Sequence, residues 1–178
     1  MPVTIPDPAL VLLVGPSGAG KSTFAAAHFK PTEVISSDAL RGMLADDPAD
    51  QDASAEAFRV LAILANGRLR RRLMTVIDAT NLRAANRKQF RALAARYGIP
   101  SVAIAFDLPP ELYAAHNERR PDRVVNNDVV ADQTERMREA MPDLVAEDYA
   151  ALHVFRDADA VRDVVVDRVP AKSRVPRP

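Results

Sequence analysis

The sequence predicts an α/β domain built on a mostly parallel sheet, and three observations point there. Short β-rich apolar runs alternate along the chain with longer stretches of helical periodicity. Those runs are apolar on nearly every residue, the pattern of strands covered on both faces. The length of 178 residues, with 48% hydrophobic and 27% charged side chains, suits one globular domain.

The expected strands are residues 9–14, 33–36, 74–77, 101–106 and 152–155. A first helix over 21–29 stops ahead of Pro31, which removes a helical hydrogen bond. The second, 55–73, places Phe58, Leu61, Leu64 and Ala65 on one face and has Ser54 or Asp52 available as its cap. A third over 84–97 ends at Gly98 with Pro100 beyond it, an ordinary helix stop. Pro110 opens a fourth helix that Pro121 interrupts, and a fifth resumes near Asn127 or Asp128. Residues 158–167 read as a terminal helix. The domain is thus expected over 1–168, with 169–178, which hold three Pro and three Lys or Arg, as a tail or linker.

Charge and composition exclude several classes. The 24 basic and 24 acidic side chains cancel, so no global field draws the chain onto long nucleic acid or a membrane. With no Cys there is neither a disulfide framework nor a thiolate metal site, and His28, His116 and His153 are too scattered for a metal pattern. Neither a signal core nor a spanning run occurs in the sequence, which reads as cytoplasmic. Arg68, Arg70, Arg71 and Arg72 admit two readings: favourable charge at a helix C-terminus, or a nucleic-acid contact.

Gly15-Pro-Ser-Gly-Ala-Gly-Lys21-Ser22 matches the G-x-x-x-x-G-K-[ST] phosphate loop and lies between a strand pattern and a helical one. The glycines let backbone N–H groups curl around an anion, and the helix start adds positive potential. Gly15, Ser17, Gly18, Ala19, Gly20, Lys21, Ser22 and Thr23 are therefore the expected nucleotide-binding residues, with Lys21 reaching the β- and γ-phosphates and Ser22 a ligand for Mg²⁺.

An acceptor for the phosphoryl group belongs at the ends of the other strands. Asp38 follows the second strand, where it either takes the proton of an acceptor hydroxyl or caps the next helix. Arg41, three residues on, is either a phosphate-grasping fork beside it or a surface arginine. Asp78 ends the third strand, where it holds a metal-bound water or caps a helix; Thr80 and Asn81 offer hydrogen bonds at the cleft. Arg119, Arg120 and Arg123 around Pro121 suit either an arginine-bearing lid or a solvated basic corner.

Taken together, the run from Gly15 to Phe24, Glu33-Val-Ile-Ser-Ser-Asp38, Arg41-Gly, Asp46-Asp47, Asp50-Gln51, Asp78-Ala-Thr-Asn81 and Arg120-x-x-Arg123 resemble the kinase module of the bacterial polynucleotide kinase-phosphatase RNA repair enzymes, over about residues 9–168. The resemblance implies a P-loop NTPase-type phosphotransferase with strand order 2-3-1-4-5, moving the γ-phosphate of ATP to the 5′-OH of RNA or DNA. It implies Asp38 as general base, Arg41 on the acceptor's 3′-phosphate, Gln51 on the acceptor side, and Arg120 and Arg123 as catalytic lid arginines. His116 departs from the pattern, standing where the family tends to have another Arg, with Arg119 nearby. Phosphatase and ligase modules are the implied partners if the chain is excised from a longer one. A small-molecule kinase and a nucleotide-binding switch are the alternative readings.

Overall fold

A computed structural model describes residues 2–118 and 126–171. The chain forms β1 (Val3–Asp7), β2 (Leu10–Val14), α1 (Lys21–His28), β3 (Val34–Ser36), α2 (Ser37–Ala45), α3 (Ser54–Arg70) and β4 (Thr75–Asp78). It continues through α4 (Ala84–Arg96), β5 (Ser101–Phe106), α5 (Pro110–Glu118), α6 (Asn127–Ala146), β6 (Ala151–Phe155), α7 (Ala158–Arg162) and β7 (Val166–Pro170). The main sheet has the order β3-β4-β2-β5-β6 and is parallel throughout, so the five predicted strands stand in the order 2-3-1-4-5.

β2 is central, and all five of its residues are fully buried. Its side chains alternate between two cores, as the period of a strand requires. Val11 and Leu13 join Phe24 of α1 with Phe106 and Phe155, whereas Leu10, Leu12 and Val14 join Leu61, Leu69, Phe90 and Leu144 from α3, α4 and α6. Phe24 packs edge-on against Phe106 at 5.5 Å and near Phe155 at 5.8 Å. Such aromatic contacts fix α1, and hence the loop that precedes it, on the sheet.

Four expectations are corrected. Residues 163–167 are not helical: α7 ends at Arg162, and β7 pairs in parallel with β1, Val3 opposite Val166. Neither strand of this second sheet is among those expected, and β7 includes Val169 and Pro170 of the expected tail. Arg168 secures it, with a bidentate pair to Glu33 at 2.7 and 2.9 Å. On α3 the buried stripe is Ala57, Leu61, Ala65 and Leu69, a spacing of four, which leaves Leu64 partly exposed. The α3 N-cap is Ala53, so neither Ser54 nor Asp52 caps.

Three of the four arginines at the end of α3 donate to backbone carbonyls, one of them in α3 itself and two beyond it. Arg68 donates to Met74 O, Arg71 to Gly67 O and Arg72 to Tyr97 O, which favours the helix-terminus reading. Among the described residues no helix is long and apolar enough to cross a membrane.

Candidate active site

β2 delivers the phosphate loop and α1 receives it. Gly18 and Gly20 adopt left-handed backbone angles, φ +83° and +85°. At Gly18 the need is also spatial, because a Cβ there would stand 2.3 Å from the Tyr113 carbonyl oxygen. Tyr113 is itself fixed: its hydroxyl donates to Phe106 O at 2.9 Å and accepts from Leu108 N–H at 2.7 Å. Burial pushes its pKa up to about 12; the Leu108 bond opposes that rise and Asp107 adds to it.

The loop's own groups are engaged from several sides. Lys21, 7% exposed, donates through Nζ to Gly15 O at 2.9 Å and Pro16 O at 2.7 Å. Gly15 N–H donates to Thr80 O at 3.0 Å, which ties the loop to the end of β4. From α5, His116 Nδ1 lies 3.0 Å from Gly18 O; from α6, Gln133 Oε1 accepts Ser17 N–H at 2.7 Å.

Asp38 stands in the first turn of α2 and does not cap it. That task falls to Ser36, whose hydroxyl accepts from Ala39 N–H. The Asp38 carboxylate is ion-paired with Arg41, one helical turn away. Arg41 is only 5% exposed, which sets aside the surface-arginine reading, and its Nε donates to Pro48 O at 2.8 Å. Burial lowers the pKa of its guanidinium, while Asp47 and Asp50 act in the opposite direction.

A cleft at the mouth of the loop is lined by Ser17, Lys21, Ser22, Asp38, Asp78, Ala79 and Thr80. The helix after β4 has Arg83 as its N-cap, so Asp78 does not cap it. Asp78 and Ser22 together present a carboxylate and a hydroxyl, the hard oxygen donors Mg²⁺ takes alongside substrate phosphates. Among the described residues there is no group of three or more His, Cys, Asp or Glu that could hold a metal ion.

Three expected acceptor residues sit apart from the cleft lining: Arg41, which borders it through its pair with Asp38, and Asn81 and Gln51. Asn81, in the left-handed region at φ +50° and 1% exposed, donates to Leu13 O at 2.7 Å, so its amide knots β2 to the end of β4. Gln51 is exposed and donates to Ala49 O. Thr23 is exposed on α1 and outside the lining, whereas Ala19 is buried within the loop. Arg119, Arg120 and Arg123 lie outside the described residues.

Sequence reasoning missed Gln133 and Arg87. Arg87, fully buried at the start of α4, donates to Asn81 O and Leu82 O beside the cleft and grips Glu147 beyond α6. Nothing in the local sequence distinguishes Gln133 from other polar helix residues. The signal for Arg87 was its place three residues after a predicted helix start, close behind the Asp78–Asn81 strand end.

The model of the AAA domain family matches residues 10–144. No curated protein matches significantly. In fold the chain is similar to the Pnkp1/Rnl/Hen1 RNA repair complex, with 22% identity and a TM-score of 0.65 over 82% of this chain and 48% of that one, so it spans about half the length of that relative. It is also similar to a gluconokinase from Sinorhizobium meliloti 1021, with 18% identity and a TM-score of 0.56 over 90% and 89% of the two chains. Kti12 of Chaetomium thermophilum in complex with ADP-AlF3 aligns at 17% identity and a TM-score of 0.59, over 87% and 94%. At these identities the likeness is one of fold: a P-loop kinase fold.

Proposed function

The chain belongs to the AAA domain family, and from that premise we propose that it is an ATP-dependent polynucleotide 5′-hydroxyl kinase. The observation that carries the reading is the meeting of Lys21, Ser22, Asp38 and Asp78 in one cleft, with Arg41 paired to Asp38. The N–H groups of the phosphate loop and Lys21 bind the β- and γ-phosphates of ATP. Asp38, oriented by Arg41, accepts the proton of the acceptor hydroxyl as its oxygen bonds to the γ-phosphorus; the bond to the β-phosphate oxygen breaks and ADP leaves. Arg41 directs a guanidinium at a phosphate of the acceptor, and Arg120 and Arg123 supply charge to the transferring group. Ser22 and Asp78 would hold Mg²⁺, which would supply positive charge against the phosphates.

The burial of Arg41 favours a second reading. Its Nε is committed to Pro48 O and its Nη2 to Asp38, so an acceptor phosphate must share the remaining donors of a guanidinium that is 5% exposed. An acceptor without a phosphate, such as a sugar hydroxyl, makes no such demand. The deciding experiment is transfer of label from γ-labelled Mg·ATP to a short 5′-OH oligonucleotide, with gluconate and nucleosides lacking a 3′-phosphate in parallel. Labelled oligonucleotide is expected. Label on a small molecule alone moves the case to the second reading, and label released only as phosphate indicates a hydrolytic switch.

A further inference from the structure

We propose that Gln133 is a built-in competitor for the phosphate site, an uncharged acceptor that holds a loop N–H and yields it to a nucleotide phosphate. The inference rests on the nucleotide-binding part of the reading above and not on the identity of the acceptor. Ser17 lines the cleft with Lys21 and Ser22, and its N–H donates to Gln133 Oε1 at 2.7 Å across 116 residues of sequence. The contact fixes which way the amide points, because a peptide N–H can only donate. Phosphate recognition by this loop uses the same backbone N–H groups. A phosphate oxygen at Ser17 N–H and the Gln133 oxygen therefore seek one donor.

The chemistry of the side chain suits this role. A neutral amide oxygen makes an ordinary hydrogen bond, worth little net against water, so a phosphate, which makes a stronger charge-assisted bond, displaces it. A carboxylate there would hold the N–H more firmly and repel the polyanion. An apolar side chain would leave the 5%-exposed Ser17 without its α6 acceptor, and a phosphate would then have no rival. Gln133 stands in the second turn of α6, whose Met137 and Leu144 are packed in the core, so its oxygen is presented from an anchored element. Displacement of Gln133 also removes the hydrogen bond between α6 and the loop, so nucleotide binding is expected to loosen that part of α6.

The test is titration calorimetry of the intact chain with Mg·ATP and Mg·ADP, for wild type, Gln133→Leu and Gln133→Glu. Loss of one ordinary hydrogen-bonded competitor predicts that Gln133→Leu binds nucleotide about two- to tenfold more tightly. Gln133→Glu is expected to bind about tenfold or more weakly than wild type at pH 7.5, and the ratio of the two affinities to close as the pH falls towards the glutamate range, Asp38 and Asp78 of the same cleft being common to both proteins. Hydrogen exchange around residue 133 should quicken when wild type takes up nucleotide. Unchanged or weaker binding by a folded Gln133→Leu overturns the proposal while leaving the functional reading intact. If that variant does not fold, a Gln133→Glu to wild-type affinity ratio that does not change with pH overturns it instead. Wild type that binds neither nucleotide defeats both the proposal and the reading beneath it, whereas a failure to label oligonucleotide leaves this proposal standing.

Discussion

Arg87, fully buried, and Glu147, partly buried, form an ion pair that joins the start of α4 to the chain just beyond α6, with the Arg87 Nη2 to Glu147 Oε1 distance at 2.8 Å. The same guanidinium donates to Asn81 O and Leu82 O, so it supports the turn that presents Thr80 to the cleft. Removing Glu147 leaves the fully buried Arg87 charge with only the distant Asp143 carboxylate, at 4.0 Å, against it. Glu147→Ala is expected to cost about 3–5 kcal/mol in urea unfolding. An apolar pair, Arg87→Met with Glu147→Leu, should recover part of that, but not the support of the two carbonyls, so its kcat should remain depressed.

Acid stability follows from two glutamates. The Arg168 hydrogen bonds hold the Glu33 carboxyl below its ordinary value of 4.5. At Glu147 burial pushes upward, but the bonds from Arg87 and Tyr149 outweigh it and the pKa again falls below 4.5. Both are therefore protonated more readily in the unfolded chain. Their contribution is complete at pH values above 4.5 and drains away as the pH falls below it through the folded values. Urea midpoints should slip between pH 7 and 5.5, where His28, its pKa lowered by burial, takes up a proton more readily in the unfolded chain, and fall further below pH 4.5, with a shallower acid limb in Glu33→Gln.

The two left-handed glycines of the phosphate loop should respond differently to alanine. At Gly20 nothing stands within 4 Å of a new Cβ, so only the backbone angle resists, at about 1–2 kcal/mol. At Gly18 the Tyr113 backbone is in the way as well. Gly18→Ala is expected to be the less stable variant and to lose nucleotide binding, as read by unfolding and calorimetry side by side. Equal behaviour would show that α5 gives way easily.

Asp38→Asn keeps a side chain of the same shape and removes the proton acceptor. Turnover should fall by about 10²–10⁴, the usual worth of general base catalysis, with nucleotide affinity nearly unchanged. Equal loss of both would make Asp38 an architectural partner of Arg41 instead.

Arg41→Ala should raise KM for a 3′-phosphorylated acceptor more than for a bare nucleoside. An identical rise for both would mean that the guanidinium acts through Asp38 and the Pro48 loop.

The parts legible in sequence were those set by local pattern. The inner strands β4, β2 and β5 are short runs buried on every residue, the edge strands β3 and β6 are mostly apolar, and the phosphate loop is a contiguous motif, so these could be read residue by residue. β1 and β7 escaped because Val3–Asp7 is broken by Pro6 and half exposed, and because Val166–Pro170 becomes a strand only through pairing with a segment far away in sequence. Asn81 illustrates the limit within the site: its position at a strand end was clear, but whether its amide faced the cleft or Leu13 depended on a backbone angle. Gln133 meets Ser17 only in three dimensions.

The central place of β2 has a cost during synthesis. Its neighbours in the sheet begin at Thr75 and Ser101, so five consecutive apolar residues leave the ribosome long before either partner has been translated. At about 5–20 residues per second the wait is several seconds, ample for a nascent strand to find another chain's edge. The segment that ends as the least accessible in the fold is thus the one most dependent on chaperone cover at birth, and slowing translation between residues 15 and 106 should lower soluble yield without altering the finished protein.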